Sequence, residues 1–254
     1  MTMDERSIDD AARHLHTLLV CGRSGARLPL RLRPQQPLDG WRIQRRVSKL
    51  RGRAQVGWKC ALPAADRWMV AALHEALPSG ARLRAPSGPA SKPRIEPEFA
   101  FELRHDLPPR DQPYSAAEVN AAIGNVRLAV EVLGCRYGDA SQASGPELMA
   151  DSLWHQTLLL GPEIADLPAE PALKLTLALP GRADLSLSAR HRDGDPRRPL
   201  HWLAEFLRQQ GIGMAAGQAV ITGSLAGVIE LPYSEAALLR FADLGEITLT
   251  LDPL

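Results

Sequence analysis

The sequence is short of cysteine, of aromatic residues and of any excess of one charge. Three cysteines in 254 residues, Cys21, Cys60 and Cys135, lie far apart with no C-x-x-C pair. They build neither a disulfide framework nor a cysteine zinc site, so a reducing, cytoplasmic setting is expected. Thirty Lys and Arg stand against 29 Asp and Glu, a formal net charge of +1. That balance argues against a dedicated nucleic-acid partner. The segment MTMDERSIDD is acidic and polar, unlike a secretory leader. Gly211 to Ile229 carries no charge over 19 positions, yet it includes five glycines with Gln218, Thr222 and Ser224. A membrane-spanning helix needs about 20 predominantly apolar residues, so buried strand and turn are expected here and no membrane partner. What is present is ordinary for a globular chain: 45% apolar and 23% charged residues, with ample length for a core.

Hydrophobic period divides the chain. Ile8, Ala11, Ala12, Leu15, Leu18 and Leu19 mark a helix face, with Ser7 and Asp10 as a capping box. A Pro- and Arg-rich connection follows over 22–38. A short second helix is expected from Asp39, as its cap, through Trp41, Ile43, Val47 and Leu50. Beyond residue 53 strands dominate: 55–62, 94–103 with Pro97 suggesting an edge or a bulge, 125–134, 153–161, 218–222 and 245–251. Residues 173–179 and 183–190 alternate around Pro180-Gly181-Arg182, a hairpin signal. A capping box at Ser115 and Glu118 opens a helix to about Ile123, and 199–211 is an amphipathic helix stopped by Gly211. Helices first and strands after make an α+β pattern, with a helical region over 1–53 and a β-rich region over 54–254 in one structural domain. Residues 22 to 53 hold ten Arg and Lys against one acid, Asp39. That stretch is expected to be a solvated face, or a surface facing a subunit or an anion near the active-site mouth.

Four places could carry chemistry. Glu96 and Glu98, at i and i+2 of a strand, share one face and repel unless a cation joins them. Hard divalent cations suit such oxygen ligands, and a solvent-facing edge pair would explain the spacing equally well. Glu131 interrupts the apolar strand LAVEVLG and shares a face with Ala129 and Leu133, where a carboxylate needs a partner. That partner could be Arg136, a Lys or a shared metal. Lys59, within VGWKCAL, shares a face with Gly57 and Ala61; it could move protons or simply snorkel to solvent. Thr222, Gly223 and Ser224 follow a short apolar strand and could offer N–H groups and hydroxyls to a carboxylate. Gly211-x-Gly213-x-x-Ala216 follows a helix rather than a strand, so it is no dinucleotide fingerprint.

Taken together, GWK (57–59), RIEPEFAF (94–101), AVEVLGCRY (129–137), the Asp151 region and AGQAVITGSLAG (216–227) resemble the 2-keto-4-pentenoate hydratase family. That family sits in the fumarylacetoacetate hydrolase-like superfamily and includes 4-oxalocrotonate decarboxylases. The resemblance implies a rolled, mixed β-sheet with peripheral N-terminal helices. It implies Glu96, Glu98 and Glu131 as ligands of Mg²⁺ or Mn²⁺, Lys59 and Arg136 as catalytic residues, and Thr222, Gly223, Ser224 and Asp151 at the substrate. The implied activity is a metal-dependent hydratase adding water to a 2-hydroxy-2,4-dienoate or 2-oxo-enoate through a metal-stabilised enolate, in a homo-oligomer. A 4-oxalocrotonate-type decarboxylase, a C–C hydrolase and a non-catalytic 2-oxo-acid-binding partner subunit are the alternatives. The chain departs from the pattern at Gly134-Cys135, where the family has Asp-Ser, and at Ser152, where it has Asn. It also departs at Ala76, where an acidic residue is usual and Glu75 lies beside it.

Overall fold

Asp4, rather than Ser7, caps the first helix: its side chain accepts from Ser7 N at 2.7 Å, and helix α1 runs Glu5–Val20. The computed structural model describes residues 2–64, 67–86 and 92–254. Helix α2, Pro37–Arg51, starts two residues before the expected cap, because Pro37 takes the first turn, where no N–H is needed. Asp39 lies inside that turn, fully buried, and accepts from Met3 N at 3.1 Å. The two helices close a small core of Ile8, Ala11, Leu15, Ile43 and Val47 with Tyr137 and Ala150. The basic residues expected on a solvated or partner-facing surface divide: Arg23, Arg31, Lys49 and Arg53 are exposed, and others are held within the chain. Arg42 and Arg46 pair with Glu5, Arg46 also with Asp9, and Arg27 with Glu147. Arg45 sits over the Trp41 ring at 5.7 Å.

The elements that follow are β1 (Gly57–Ala64), β2 (Arg67–Leu73), β3 (Ala76–Pro78), β4 (Arg82–Ala85), β5 (Arg94–Leu103), α3 (Ala116–Ala122), β6 (Ile123–Leu133), α4 (Gly145–Ala150), β7 (His155–Ile164), β8 (Ala172–Ala178), β9 (Leu185–Arg190), α5 (Arg197–Gln209), β10 (Ala219–Ile221), β11 (Ile229–Glu230), β12 (Ala236–Phe241) and β13 (Glu246–Pro253). One sheet has the order β2-β1-β10-β5-β6-β7-β3, with β11 also on β5; the other has β4-β13-β12-β8-β9. Parallel pairs, β1 with β10, β3 with β7 and β13 with β4, make both sheets mixed. A shared core of Trp58, Phe99, Phe101, Leu128, Val130, Leu239, Phe241 and Ile247 joins the sheets. The expected hairpin is present, with Leu175 opposite Leu187. Ser115 and Glu118 form the expected capping box on α3. Gly211, at φ +65°, ends α5 as Ile212 N donates back to Leu207 O at 2.9 Å.

Two expectations about strands are corrected. Pro97 lies at neither an edge nor a bulge: β5 is central, and Pro97 pairs regularly with Val130. Its carbonyl faces the gap between β10 and β11, where Leu225 N donates to it at 2.8 Å. The absent N–H faces the same gap, so no ladder bond is lost. The strand expected from 153 begins at His155, because Ser152, Leu153 and Trp154 take left-handed φ of 56°, 52° and 68°.

Candidate active site

Pairing of β5 with β6 sets Glu96 directly opposite Glu131, while Glu98 stands opposite Ala129. Pleating turns all three carboxylates to one face, and one oxygen from each lies within 4.8 Å of the others. Like charges directly opposite on a sheet repel, so the register is costly without a cation. Glu98 and Glu131 are buried, and Glu96 is half-buried.

Lys59 supplies one positive charge. Its Nζ donates to Oε1 and Oε2 of Glu131 at 2.8 and 2.7 Å, and to Leu153 O at 3.1 Å. The left-handed turn at 152–154 is what presents that carbonyl. Such a run costs energy in L-residues, and it persists here beside a cluster of charge. Gly57 lets β1 lie close to β10, since a Cβ there would meet Ala219 O at 1.9 Å. A second nitrogen reaches Glu131 from β7: His155 Nδ1 lies 2.8 Å from Oε1.

The charges divide unevenly. Burial opposes the Lys59 ammonium, but Glu131, Glu96 and Glu98 outweigh it and hold its pKa above the ordinary lysine value. Burial would raise Glu131, yet Lys59 and His155 hold it below the usual carboxylate range. Glu98 is pushed well above that range by burial and by Glu131 and Glu96. Glu96 is raised by burial, against the pull of Lys59. Burial holds His155 below its usual pKa, against the pull of Glu131. Three carboxylates thus face one ammonium. The unmatched negative charge, and donors that are all oxygen, fit a hard divalent cation of the Mg²⁺ or Mn²⁺ kind.

The cluster opens on a cavity of about 370 Å³ lined by Lys59, Cys60, Met69, Glu96, Glu98, Leu153, Arg190, Arg192, Gly223 and Ser224. Gly223 donates its N–H to Glu98 Oε2 at 2.7 Å. Its φ of +126°, and His191 Nε2 at 3.3 Å from where a Cβ would lie, require glycine. Ser224 Oγ reaches the cavity and donates to Gly227 O at 3.0 Å. Thr222 is buried beside them, its hydroxyl outside the cavity lining, and its carbonyl meets His191 Nε2 at 3.1 Å.

Arg136 and Asp151 are not brought to this cavity. They form a buried pair behind it, the Arg136 N–H and guanidinium both donating to Asp151, with Nη1 to His155 O at 3.1 Å. The pair ties the end of β6 to the start of β7 and so holds Glu131 and His155 in register. Gly134 departs from the family for a packing reason: a Cβ would meet Pro86 Cγ at 2.7 Å. Glu75, beside Ala76, also lies off the cavity, accepting from Thr157 Oγ1 at 3.0 Å. Sequence reasoning missed His155, Arg190 and Arg192. His155 carried no clear signal, since it opens β7 beside two other polar residues, Gln156 and Thr157. The two arginines carried none, since only the return of β9 toward the β10–β11 gap brings them to the mouth.

No protein-family profile matches the chain. It is 27% identical over 157 residues to a 4-oxalocrotonate decarboxylase from Pseudomonas sp, a match covering 61% of this chain and 59% of that protein. Its structure is similar to that of 4-oxalocrotonate decarboxylase from Pseudomonas putida G7 complexed with magnesium and adipate, with TM-score 0.80 and 18% identity over 98% of this chain and 99% of that one. It is also similar to 2-hydroxyhepta-2,4-diene-1,7-dioate isomerase from Mycobacterium marinum, with TM-score 0.53 and 16% identity over 78% and 76% of the two chains. The chain therefore has the fumarylacetoacetate hydrolase-like fold that its motifs implied.

Proposed function

We propose that the chain is a metal-dependent lyase working on an unsaturated 2-oxo acid, or its 2-hydroxy-dienoate form, through an enolate. The observation that carries this reading is the buried cluster of Glu96, Glu98 and Glu131 with Lys59 on the wall of one cavity. A Mg²⁺ or Mn²⁺ ion held by the three glutamates would supply Lewis acidity to the substrate's 1-carboxylate and 2-oxygen. The chain's own residues do the rest. Lys59 is an ammonium with one face on the cavity, placed to hold or deliver a proton at the substrate. Gly223, by fixing Glu98, and the Leu153 carbonyl, by fixing Lys59, keep those two groups from collapsing onto each other. Ser224 can turn its hydroxyl from Gly227 toward a substrate carboxylate. Met69, Cys60 and Leu153 keep the inner wall poor in water.

Such an enolate can be consumed in one reaction or generated, by breaking a bond to a carboxylate, in another. Protonation and addition of water give hydration of a 2-hydroxy-2,4-dienoate, the activity that the motifs imply. Loss of carbon dioxide from an unsaturated 2-oxo dicarboxylate is the second reading, and Arg190 and Arg192 at the cavity mouth favour it, since guanidinium groups suit a second carboxylate. The test is turnover of 2-hydroxypenta-2,4-dienoate and of 2-oxohex-3-enedioate with Mg²⁺ or Mn²⁺, followed by loss of absorbance and by release of carbon dioxide. Metal-dependent loss of one substrate is expected. Arg192→Ala should raise KM for the dicarboxylate about tenfold and leave the monocarboxylate unchanged, a loss of about 1.4 kcal/mol. A protein that takes up neither metal and turns over neither substrate would overturn the reading in favour of a non-catalytic homologue.

A further inference from the structure

We propose that His155 is a positioning residue for Glu131, acting through Nδ1. This rests on the reading of Glu131 as a metal ligand. The ring is 2% exposed and stands at the first position of β7, opposite Leu133. Its Nδ1 lies 2.8 Å from Glu131 Oε1. A carboxylate only accepts, so Nδ1 carries a proton, and in the neutral ring Nε2 is the acceptor. Nε2 has no partner among the described residues. His155 also borders a small chamber of about 10 Å³, with Ser48, Arg51, His74, Arg136 and Ser152 around it. That is room for about one water, the donor that Nε2 calls for.

The position is costly for a ring held only for packing. A leucine would fill the same core without burying a polar atom. What the imidazole adds is a fixed bond to one oxygen of Glu131. That carboxylate offers about four acceptor sites. Lys59 takes one on each oxygen and His155 takes a second on Oε1. One site remains, on Oε2. Without His155 the carboxylate could pivot about its two bonds to the single, flexible Lys59 ammonium. With His155 it is held from two strands, once by a rigid ring, and its free lone pair is confined to one oxygen. Partners of this kind set ligand orientation, and their loss costs about 10–100-fold in metal affinity.

Asparagine and glutamine separate the two ring nitrogens. His155→Asn places an amide N–H near the Nδ1 position; His155→Gln places one near Nε2; His155→Leu has neither. The measurement is the Mn²⁺ dissociation constant of the full chain, by calorimetry or by the spin-resonance signal of free Mn²⁺. The thermal midpoint of each metal-free variant is recorded alongside. We expect His155→Asn to stay within about threefold of the wild type, and His155→Gln and His155→Leu to bind about 10–100-fold more weakly. Should the leucine variant fail to fold, the Asn and Gln pair carries the test alone. Equal affinity in all variants, or equal loss in Asn and Gln, would overturn the proposal. A wild type that binds no Mn²⁺ would overturn the ligand reading of Glu131 first, and the role of His155 with it.

Discussion

Two glutamates of this chain are both nearly inaccessible to solvent, Glu98 the more deeply packed, and they are oppositely treated. Glu147, on α4, is 1% exposed, and Glu98, on β5, is 2% exposed. Burial would raise both. At Glu147, Arg27 donates to both oxygens and Ser144 adds its N–H and hydroxyl, so the carboxyl is held below its usual range. At Glu98, Gly223 gives one N–H, and Glu131 and Glu96 add like charge, so the carboxyl is pushed well above it. One carboxylate is fully supplied by the fold and serves packing of the N-terminal helices. The other is left short, and the shortfall falls where a cavity opens. Burial alone does not mark a functional acid; burial without sufficient positive charge does.

The sharpest test acts on the little charge that the cluster has. Lys59→Met removes both the ammonium and the proton while keeping much of the volume. Turnover should fall by about 10²–10⁴-fold, the usual scale for losing a positioned proton-transfer group. Because Lys59 is also the counter-charge of Glu131, the metal-free variant should melt lower than the wild type, and saturating Mg²⁺ should recover most of that loss. An unchanged rate in an active enzyme would remove Lys59 from the chemistry.

Substituting the two glutamates then sets them against each other. Glu147→Gln breaks bonds between charged groups and should cost about 1.5–3 kcal/mol in urea unfolding, with Mg²⁺ affinity unchanged. Glu98→Gln removes a charge that its surroundings disfavour. The metal-free protein should be no less stable than wild type, while the stabilisation by added Mg²⁺ disappears. If both variants lose stability alike and both still respond to Mg²⁺, the contrast between the two sites is false.

How much of this was legible in the sequence follows the same line. Glu96 and Glu98 at i and i+2, and Glu131 inside LAVEVLG, were visible because a strand of period two fixes which face a residue takes. That Glu96 stands opposite Glu131 was not, since register depends on a partner strand 35 residues away. Lys59 was visible for the same reason as the glutamates; its bond to Glu131 was not. Arg136 and Asp151 could be picked out as matching residues, but only packing shows that they face each other behind the cavity. Strands β3, β4 and β11 span two to four residues and are too short to show a period. β2 and β12 are apolar runs without clean alternation. The caps of α1 and α2 were misplaced because Asp4 and Pro37 supply the same local signals one turn earlier.

The smallest expected effect reverses the sign of the comparison. His74 follows β2, is 8% exposed, and has its pKa lowered to about 4 by burial and by the charge of Arg51 nearby. It is a buried base beside a cation, as Glu98 is a buried acid beside acids. In the unfolded chain a histidine takes up its proton at about pH 6.5. Between that value and about 4 the unfolded state binds a proton that the folded state refuses, so stability falls as the pH drops through this window. Above about pH 6.5 both states are neutral here and the group adds no slope. His74→Leu removes the titration. The stability difference between variant and wild type should be flat from pH 8 to 6.5, then move in favour of the variant by on the order of 2 kcal/mol by pH 4.5. Urea midpoints at several pH values, taken in metal-free buffer, measure it. Carboxylates elsewhere titrate in the same range, but they do so in both proteins and cancel in the difference. A difference that stays constant down to pH 4.5 would mean that the fold solvates His74 well enough to offset Arg51. Charge supply would then no longer explain both ends of the comparison, and the raised Glu98 would need a cause of its own.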